Sequence, residues 1–530
     1  PRHGGDRRQS LAPEAQRPDG GQILRPVQLA GGVAQEGGFP LAQEPVTLTI
    51  MTEHAAEQGP YADMITFTTY EQMTNVHINW IEVASSVLAE KVQLSLAGGE
   101  LPDMYYKCNL SQADLLYYGS EGSIIPLNDL IEQHAPHIKA ILDAKPGIKA
   151  SLTMTDGNIY SLPYIVECAS PNLPNKLFLN MDWLEKAGAK VPETTDELFD
   201  TLMTMRAYDY NGDGKLEENI ITAGNFNNII AALAGSFGIA NRSYAFGNWD
   251  EDPQAPGQLR FWPITQGYKE LLEYLNKLYT NNLIDQEIFT QTPAAYAGKA
   301  TQGPALNMFI NNSNAGKFAA YYQGLAPMKG PHGDQLWTAV LNECRNPGAF
   351  AITSACKDPV LAIKWVDYFF SKEGSLLYFM GVEGETCQWD EALGKYVYVD
   401  AIRNNTEGLT FDQAVARHVP WTSNGGPAVA TYEVFSGAAV NAISQAAAEK
   451  ISPYAVEMWP ALKYTKDEND VVSDIANQIN SYISQMTAEF VIGRTTFDQW
   501  DTYVDTIYQM GLEEWGQYAQ EALNRMQGER

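Results

Sequence analysis

Val46, Leu48 and Ile50 alternate with threonines, a period of two that predicts a short β-strand delivering Glu53 and His54 at its C-terminal end. Val76, Ile78 and Trp80 repeat the alternation. A helical stretch around 90–96 closes at Gly98-Gly99, and Leu101 to Tyr106 reads as a further strand running into a loop. Thr194 and Glu197 are spaced as a capping box, with Leu198, Leu202 and Met205 at helical intervals behind them. Asp358-Pro359 opens a helix whose apolar positions are Ala362, Trp365, Val366 and Phe369. From about Asn469 the pattern is mostly helical, with Ile475, Ile479 and Ile483 on one stripe. Strands that alternate with helices predict an open α/β sheet, in which ligands bind beyond the carboxyl ends of the strands. Glu53, His54, Tyr105 and Tyr106 occupy those ends.

Length and charge narrow the function. A chain of 530 residues exceeds what one hydrophobic core organises, so two large lobes are expected. The net charge of -29 repels nucleic-acid phosphates and anionic lipid headgroups, which excludes both as partners. It also argues against uronate ligands, unless Arg345 or Arg417 offsets it near a cleft. No apolar run reaches eighteen residues; Ile229 to Ala240 comes nearest and is interrupted by Gly235 and Ser236. Residues 1–44 show no helical or strand period and read as a flexible leader outside the fold. Cys108, Cys168, Cys344, Cys356 and Cys387 lie far apart without metal-ligand spacing, as buried thiols or one or two bridges.

Asp209-Tyr-Asn211-Gly-Asp213-Gly214-Lys215-Leu-Glu217-Glu218 places oxygen donors at alternate positions of a glycine-bent loop. Calcium takes six to eight oxygens, and Asp209, Asn211, Asp213 and the Lys215 carbonyl fill positions one, three, five and seven. Ile220 replaces the usual glutamate at position twelve, so the remaining ligands come from Glu217 and Glu218. A single structural Ca2+ site is expected, because no second loop of this kind occurs. Gly-x-Ser-x-Gly, His-Glu-x-x-His, the phosphate loop and Gly-x-Gly-x-x-Gly are all missing, so no catalytic residue is assigned. A pair of carboxylates suited to glycoside hydrolysis leaves no such signature. His134 and His137 are read as a solvated helix end.

Five segments in order resemble a known family: Val46 to Met51, Ala97-Gly-Gly-Glu-Leu-Pro-Asp103, Gly157-Asn-Ile-Tyr-Ser-Leu-Pro163, Asn180-Met-Asp-Trp-Leu-Glu-Lys-Ala-Gly188, and Asp358 to Gly374. The chain is similar to extracellular solute-binding proteins of bacterial ABC importers, in the oligosaccharide-binding branch that carries a calcium loop with acids at its ninth and tenth places. The resemblance implies an α/β, two-lobed, periplasmic-binding-protein-like (type II) clamshell with an interlobe hinge and a helical C-terminal part. It puts 45–166 and 302–353 in lobe 1 and 167–301 and 354–530 in lobe 2. The crossings then fall near Tyr164 to Ala169, near residue 302 and near Ser354. Sugar rings pack on aromatic faces and sugar hydroxyls need amides and carboxylates. Trp421, in a glycine-rich turn, is the leading contact, with Tyr164, Glu167, Trp337 and Asn342 near the inferred hinge and Trp459 as a further ring. The implied function is non-catalytic capture of an oligosaccharide by a monomeric receptor that delivers to membrane permease subunits. The implied location is extracellular, and Gram-positive members are lipoproteins tethered through an N-terminal cysteine; here the first cysteine is Cys108. A secreted glycoside hydrolase and a binding protein for a peptide are the alternatives.

Overall fold

The computed structural model describes residues 38–528 apart from 57, 211, 213, 215–220, 243–247, 293–294, 297–298, 300–307, 312–319, 408, 410, 423–424 and 436–441. The chain opens with β1 (Val46–His54), β2 (Val76–Ala84), β3 (Met104–Tyr106) and β4 (Leu162–Val166). The alternation seen in β1 has its physical outcome: Leu48 and Ile50 are buried and Thr47 is exposed. β1 pairs in parallel with β2 on one side and β3 on the other. The chain then crosses through residues 167–175 into β5 (Lys176–Asn180), β6 (Ile221–Ala223), a hairpin of β7 (Trp249–Glu251) and β8 (Leu259–Phe261), β9 (Met308–Asn311) and β10 (Tyr322–Gly324). It returns as β11 (Cys344–Ile352), forms a hairpin of β12 (Cys387–Asp390) and β13 (Lys395–Tyr398), and adds β14 (Val429–Ala430).

Two main sheets result. The first runs β14-β4-β11-β3-β1-β2, with β11 antiparallel to both β3 and β4, and the second runs β10-β5-β9-β6. Each has its own core. Tyr70, Trp365, Phe369 and Tyr378 belong to the first, while Leu202, Leu271, Ile479 and Phe490 belong to the second. This is the two-lobed α/β arrangement expected from the resemblance.

Two of the three lobe boundaries are corrected. Leu325, Met328, Trp337 and Ala339 stay with the second core, so the chain returns to lobe 1 at 341–344 and not near residue 302. The helices Pro359–Asp367 and Lys372–Met380 bury Trp365, Val366, Phe379 and Met380 in the first core. Lobe 1 therefore runs on to Phe435 and not to Ser354; the helix Ala442–Ile451 already packs in lobe 2. Periodicity shows that a helix has a face to bury and is silent on which sheet receives it. The end of the expected leader is also packed: Phe39 sets its ring edge-on at 5.1 Å from Tyr368, and Ala42 N–H donates to Thr74 O at 3.1 Å.

The two crossings whose course is described run side by side. Val166 N–H donates to Glu343 O at 2.9 Å and Leu341 N–H to Asn172 O at 2.8 Å. Asn172 Nδ2 donates to Val166 O at 2.7 Å, and the Arg345 guanidinium donates to Pro171 O and to Asn172 Oδ1. Lys145 of lobe 1 spans both crossings, 2.7 Å from Glu167 and 2.8 Å from Glu343.

Lys107 and Lys176 are fully buried, and their ammonium groups donate to backbone carbonyls. Lys107 Nζ donates to Pro420 O at 2.6 Å and Thr422 O at 2.9 Å, which ties the 420–422 segment to the end of β3. Lys176 Nζ donates to Ser170 O at 2.7 Å beneath the first crossing. Burial lowers each to about 7. Gly425 and Gly426 are required by size: they have φ of +69° and +139°, and a Cβ would stand 2.3 Å from the Tyr164 ring and 1.9 Å from Tyr378 Oη respectively.

Two outcomes follow from these contacts. Between about pH 7 and 10 the folded chain holds fewer protons on Lys107 and Lys176 than the unfolded chain, so the melting temperature rises across that window, and Lys107→Met flattens the rise. An unchanged slope in Lys107→Met would show that Lys107 stays charged when folded. In urea titrations, Gly425→Ala and Gly426→Ala each lose about 1–3 kcal/mol from overpacking and the left-handed backbone. Wild-type midpoints would refute the fit.

Candidate functional site

Beyond the carboxyl end of β6, Gly224 leads into the helix Phe226–Leu233. Asn225 and Asn228 cap that helix reciprocally, each side-chain oxygen accepting the other's backbone N–H at 3.2 and 3.1 Å. Asn228 then donates through Nδ2 to Asn175 Oδ1 at 3.0 Å, which ties the cap to the end of the first crossing. A cavity of about 580 Å³ opens at this junction. Its other walls are Trp249 of the β7–β8 hairpin, Trp262 and Tyr268 behind it, and Asn480, Thr487 and Trp515 from the C-terminal helices. Asn248 joins two of these walls by donating to Asn480 Oδ1.

The rings lock one another edge-on. Trp249 lies 4.9 Å from Phe261 and 5.4 Å from Trp515, both T-shaped, and Trp515 Nε1 donates to Tyr464 Oη at 3.2 Å. Trp249 is 6% exposed, yet its Nε1 finds no acceptor among the described residues. A buried donor left unpaired costs about 1–3 kcal/mol, which an oxygen brought by a ligand would restore. Comparable atoms in lobe 1 include Thr422 Oγ1, Asn109 Oδ1 just beyond β3, and the indole Nε1 of Trp389. A second cavity of about 430 Å³ lies between the lobes, where the helix Gln112–Ser120 faces Leu462 to Asp470. There the Lys466 ammonium stands 4.8 Å over the Tyr117 ring, and Lys463 Nζ of lobe 2 donates to Ala150 O and Thr153 O of lobe 1.

The residues expected to touch a ligand are dispersed. Tyr105 and Tyr106 are fully buried, their hydroxyls bonded to Ser95 Oγ at 2.7 Å and Tyr378 Oη at 2.5 Å. Trp337 is fully buried and donates to Ala339 O, and Trp459 packs with Leu523 and Met526 under Arg242. These four serve the packing of the lobes, because their rings and polar atoms are engaged internally or, for Trp459, enclosed; that corrects their expected role. Glu53 is buried, and His54 Nδ1 pairs with Glu82. Tyr164 stacks on Phe379 at 6.1 Å behind Gly425. Trp421 is half-buried, donates to Tyr398 Oη at 2.8 Å and packs on Phe435. Glu167 and Asn342 lie at the crossings, the first paired with Lys145 and the second capping Cys344 N–H at 2.8 Å.

Asn225, Asn227, Trp249 and Trp515 were not singled out from the sequence. The Gly224-Asn-Phe-Asn-Asn228 run between a strand and a helix is a signal that could have found the first two; Trp249 and Trp515 meet only in three dimensions. In the acidic loop, Asp209 accepts from Gly212 N–H at 2.6 Å and Gly214 N–H at 2.8 Å, with both glycines left-handed. Asn211, Asp213, Lys215, Glu217 and Glu218 lie outside the described residues. The loop's entry is anchored by Tyr210, stacked on Trp183 at 4.0 Å. All five cysteines are buried free thiols, and burial pushes Cys108 up to about 12. His137 pairs with Asp367 at 2.7 Å, which raises its pKa.

A family model described as bacterial extracellular solute-binding protein matches residues 66–385. The fructooligosaccharide ABC transporter substrate-binding protein FusA of Streptococcus pneumoniae is 28% identical over 498 residues, 90% of each chain. Its structure in complex with kestose superposes with a TM-score of 0.72 at 25% identity, covering 91% of this chain and all of that one. The polygalacturonan/rhamnogalacturonan-binding protein YtcQ of Bacillus subtilis is 21% identical over 280 residues, 51% of this chain and 52% of its own. An extracellular solute-binding protein from Bifidobacterium longum subsp. infantis shares the fold, with a TM-score of 0.76 at 19% identity over 91% of this chain and 98% of its own. Two α/β lobes, paired crossings and a match over residues 66–385 together place the chain in the bacterial extracellular solute-binding protein family.

Proposed function

We propose that this protein is the extracellular sugar-capturing component of an ABC importer, taking an oligosaccharide into the ring-and-amide cavity at the end of β6 and closing its lobes around it. The observation that carries this reading is that cavity. Asparagine amides offer a donor and an acceptor side by side to adjacent hydroxyls, and aromatic faces offer a surface to sugar C–H groups. The similarity to FusA supports a fructooligosaccharide as the first ligand to try. Closure is favoured by whichever ligand touches both lobes, since only differential affinity shifts the equilibrium between open and closed forms. The protein acts as a monomer at the cell surface, delivers its cargo to permease subunits and leaves it chemically unchanged. Among the described residues, no helix is long and apolar enough to cross a membrane.

A structural calcium ion fits the same reading. The donor set is all oxygen, and the left-handed Gly212 and Gly214 turn their N–H groups onto the Asp209 carboxylate. Asp209, Asn211, Asp213, the Lys215 carbonyl, Glu217 and Glu218 would hold the ion, whose charge offsets the local carboxylates.

Kestose or nystose added in excess is expected to raise the melting temperature by several degrees with no reducing ends released. Released reducing ends would establish the glycosidase alternative, and a shift with oligopeptides alone would establish a peptide receptor. Chelation with EDTA is expected to lower the melting temperature of the wild type and to leave Asp209→Ala unmoved, and an EDTA-insensitive wild type would dispose of the metal.

A further inference from the structure

We infer that the cavity at the end of β6 selects neutral, hydroxyl-rich glycans over uronates, and that Trp249 Nε1–H is the donor that reads a sugar oxygen there. The inference rests on the receptor reading above and adds the charge class of the ligand. Among the described residues lining the cavity, none is Asp, Glu, Lys, Arg or His; the polar groups are asparagine amides and the hydroxyls of Thr338, Ser484, Thr487 and Tyr268. A carboxylate moved into such a lining loses its hydration and meets no counter-charge, a far larger cost than for a hydroxyl.

The arginines that could compensate are committed elsewhere. Arg260 grips the buried carboxylate of Asp250 through two nitrogens at 2.8 and 2.7 Å. Arg242 lies over Trp459 and 3.9 Å from Glu251. Arg345 donates to the first crossing, and Arg417 pairs with Glu407. A net charge of -29 adds long-range repulsion of anions. Against this uncharged lining, the Nε1–H of a tryptophan that is 6% exposed is a neutral donor without an acceptor among the described residues. An ether or hydroxyl oxygen satisfies it at no cost in charge.

Calorimetry on the full chain with kestose, nystose, trigalacturonate and a mannuronate trimer tests this, together with nitrogen-15 tryptophan spectra. Saturable heat with a neutral trimer or tetramer, no heat with either uronate, and a displaced Trp249 indole resonance on titration are expected. Trp249→Phe, which keeps a ring and removes the N–H, is expected to weaken the neutral ligand about five- to tenfold. Should that variant fold poorly, Asn227→Ala, at an exposed position of the lining, is expected to weaken it several-fold with an unchanged melting temperature. Uronate binding as tight as neutral binding overturns the inference and leaves the receptor reading standing. Neutral binding that neither moves the Trp249 resonance nor responds to either variant overturns the assignment of this cavity. If no glycan of either class binds, the receptor reading falls and the inference with it.

Discussion

The pairing of the two described crossings is the constraint on which the rest of this molecule depends. Each lobe closes its own core, so neither needs the other to bury its apolar surface. What relates them is narrow: two backbone hydrogen bonds between the crossings, the Asn172 and Arg345 links, and a lysine set between Glu167 and Glu343. A few element-terminal residues can absorb the rotation of one lobe against the other, while packed cores resist any deformation of their own. The Lys463 strap and the Lys466–Tyr117 contact add a second, weaker tie on the face of lobe 1 formed by residues 117–153.

Local elements were legible in the sequence because their causes are local. The alternation at Val46 to Ile50, the Thr194–Glu197 box and the Asp358 cap each appear in the fold with the bonds that those residue types make. Lobe membership was legible only in part. Residues 354–435 are rich in helices that could pack on either sheet, and only the antiparallel insertion of β11 between β3 and β4 draws them to the first. The site was the least legible. Tyr105 and Tyr106 do stand at a strand end, but β3 is central in its sheet and both faces are covered, so the two rings are buried in clusters on opposite faces. The cavity's hairpin follows its asparagine wall closely in sequence, whereas Trp515 comes from a C-terminal helix more than half the chain away, and no spacing rule links them.

The glycine-rich turn shows how a correct signal can carry a different meaning. Trp421 to Gly426 is unusual in composition, and its glycines answer a demand for space: they lie against Tyr164 and Tyr378, with Lys107 holding the turn's carbonyls from below.

The discontinuous make-up of lobe 1 also bears on how the protein is made. During synthesis β3 emerges long before β11, so its hydrogen-bonding edge stays open while the whole of β5 to β10 is being translated. An open strand edge is a template for pairing with another nascent chain. The excess of carboxylates over basic groups makes such encounters mutually repulsive, so the acidity of this chain protects the interval in which its first sheet is unfinished.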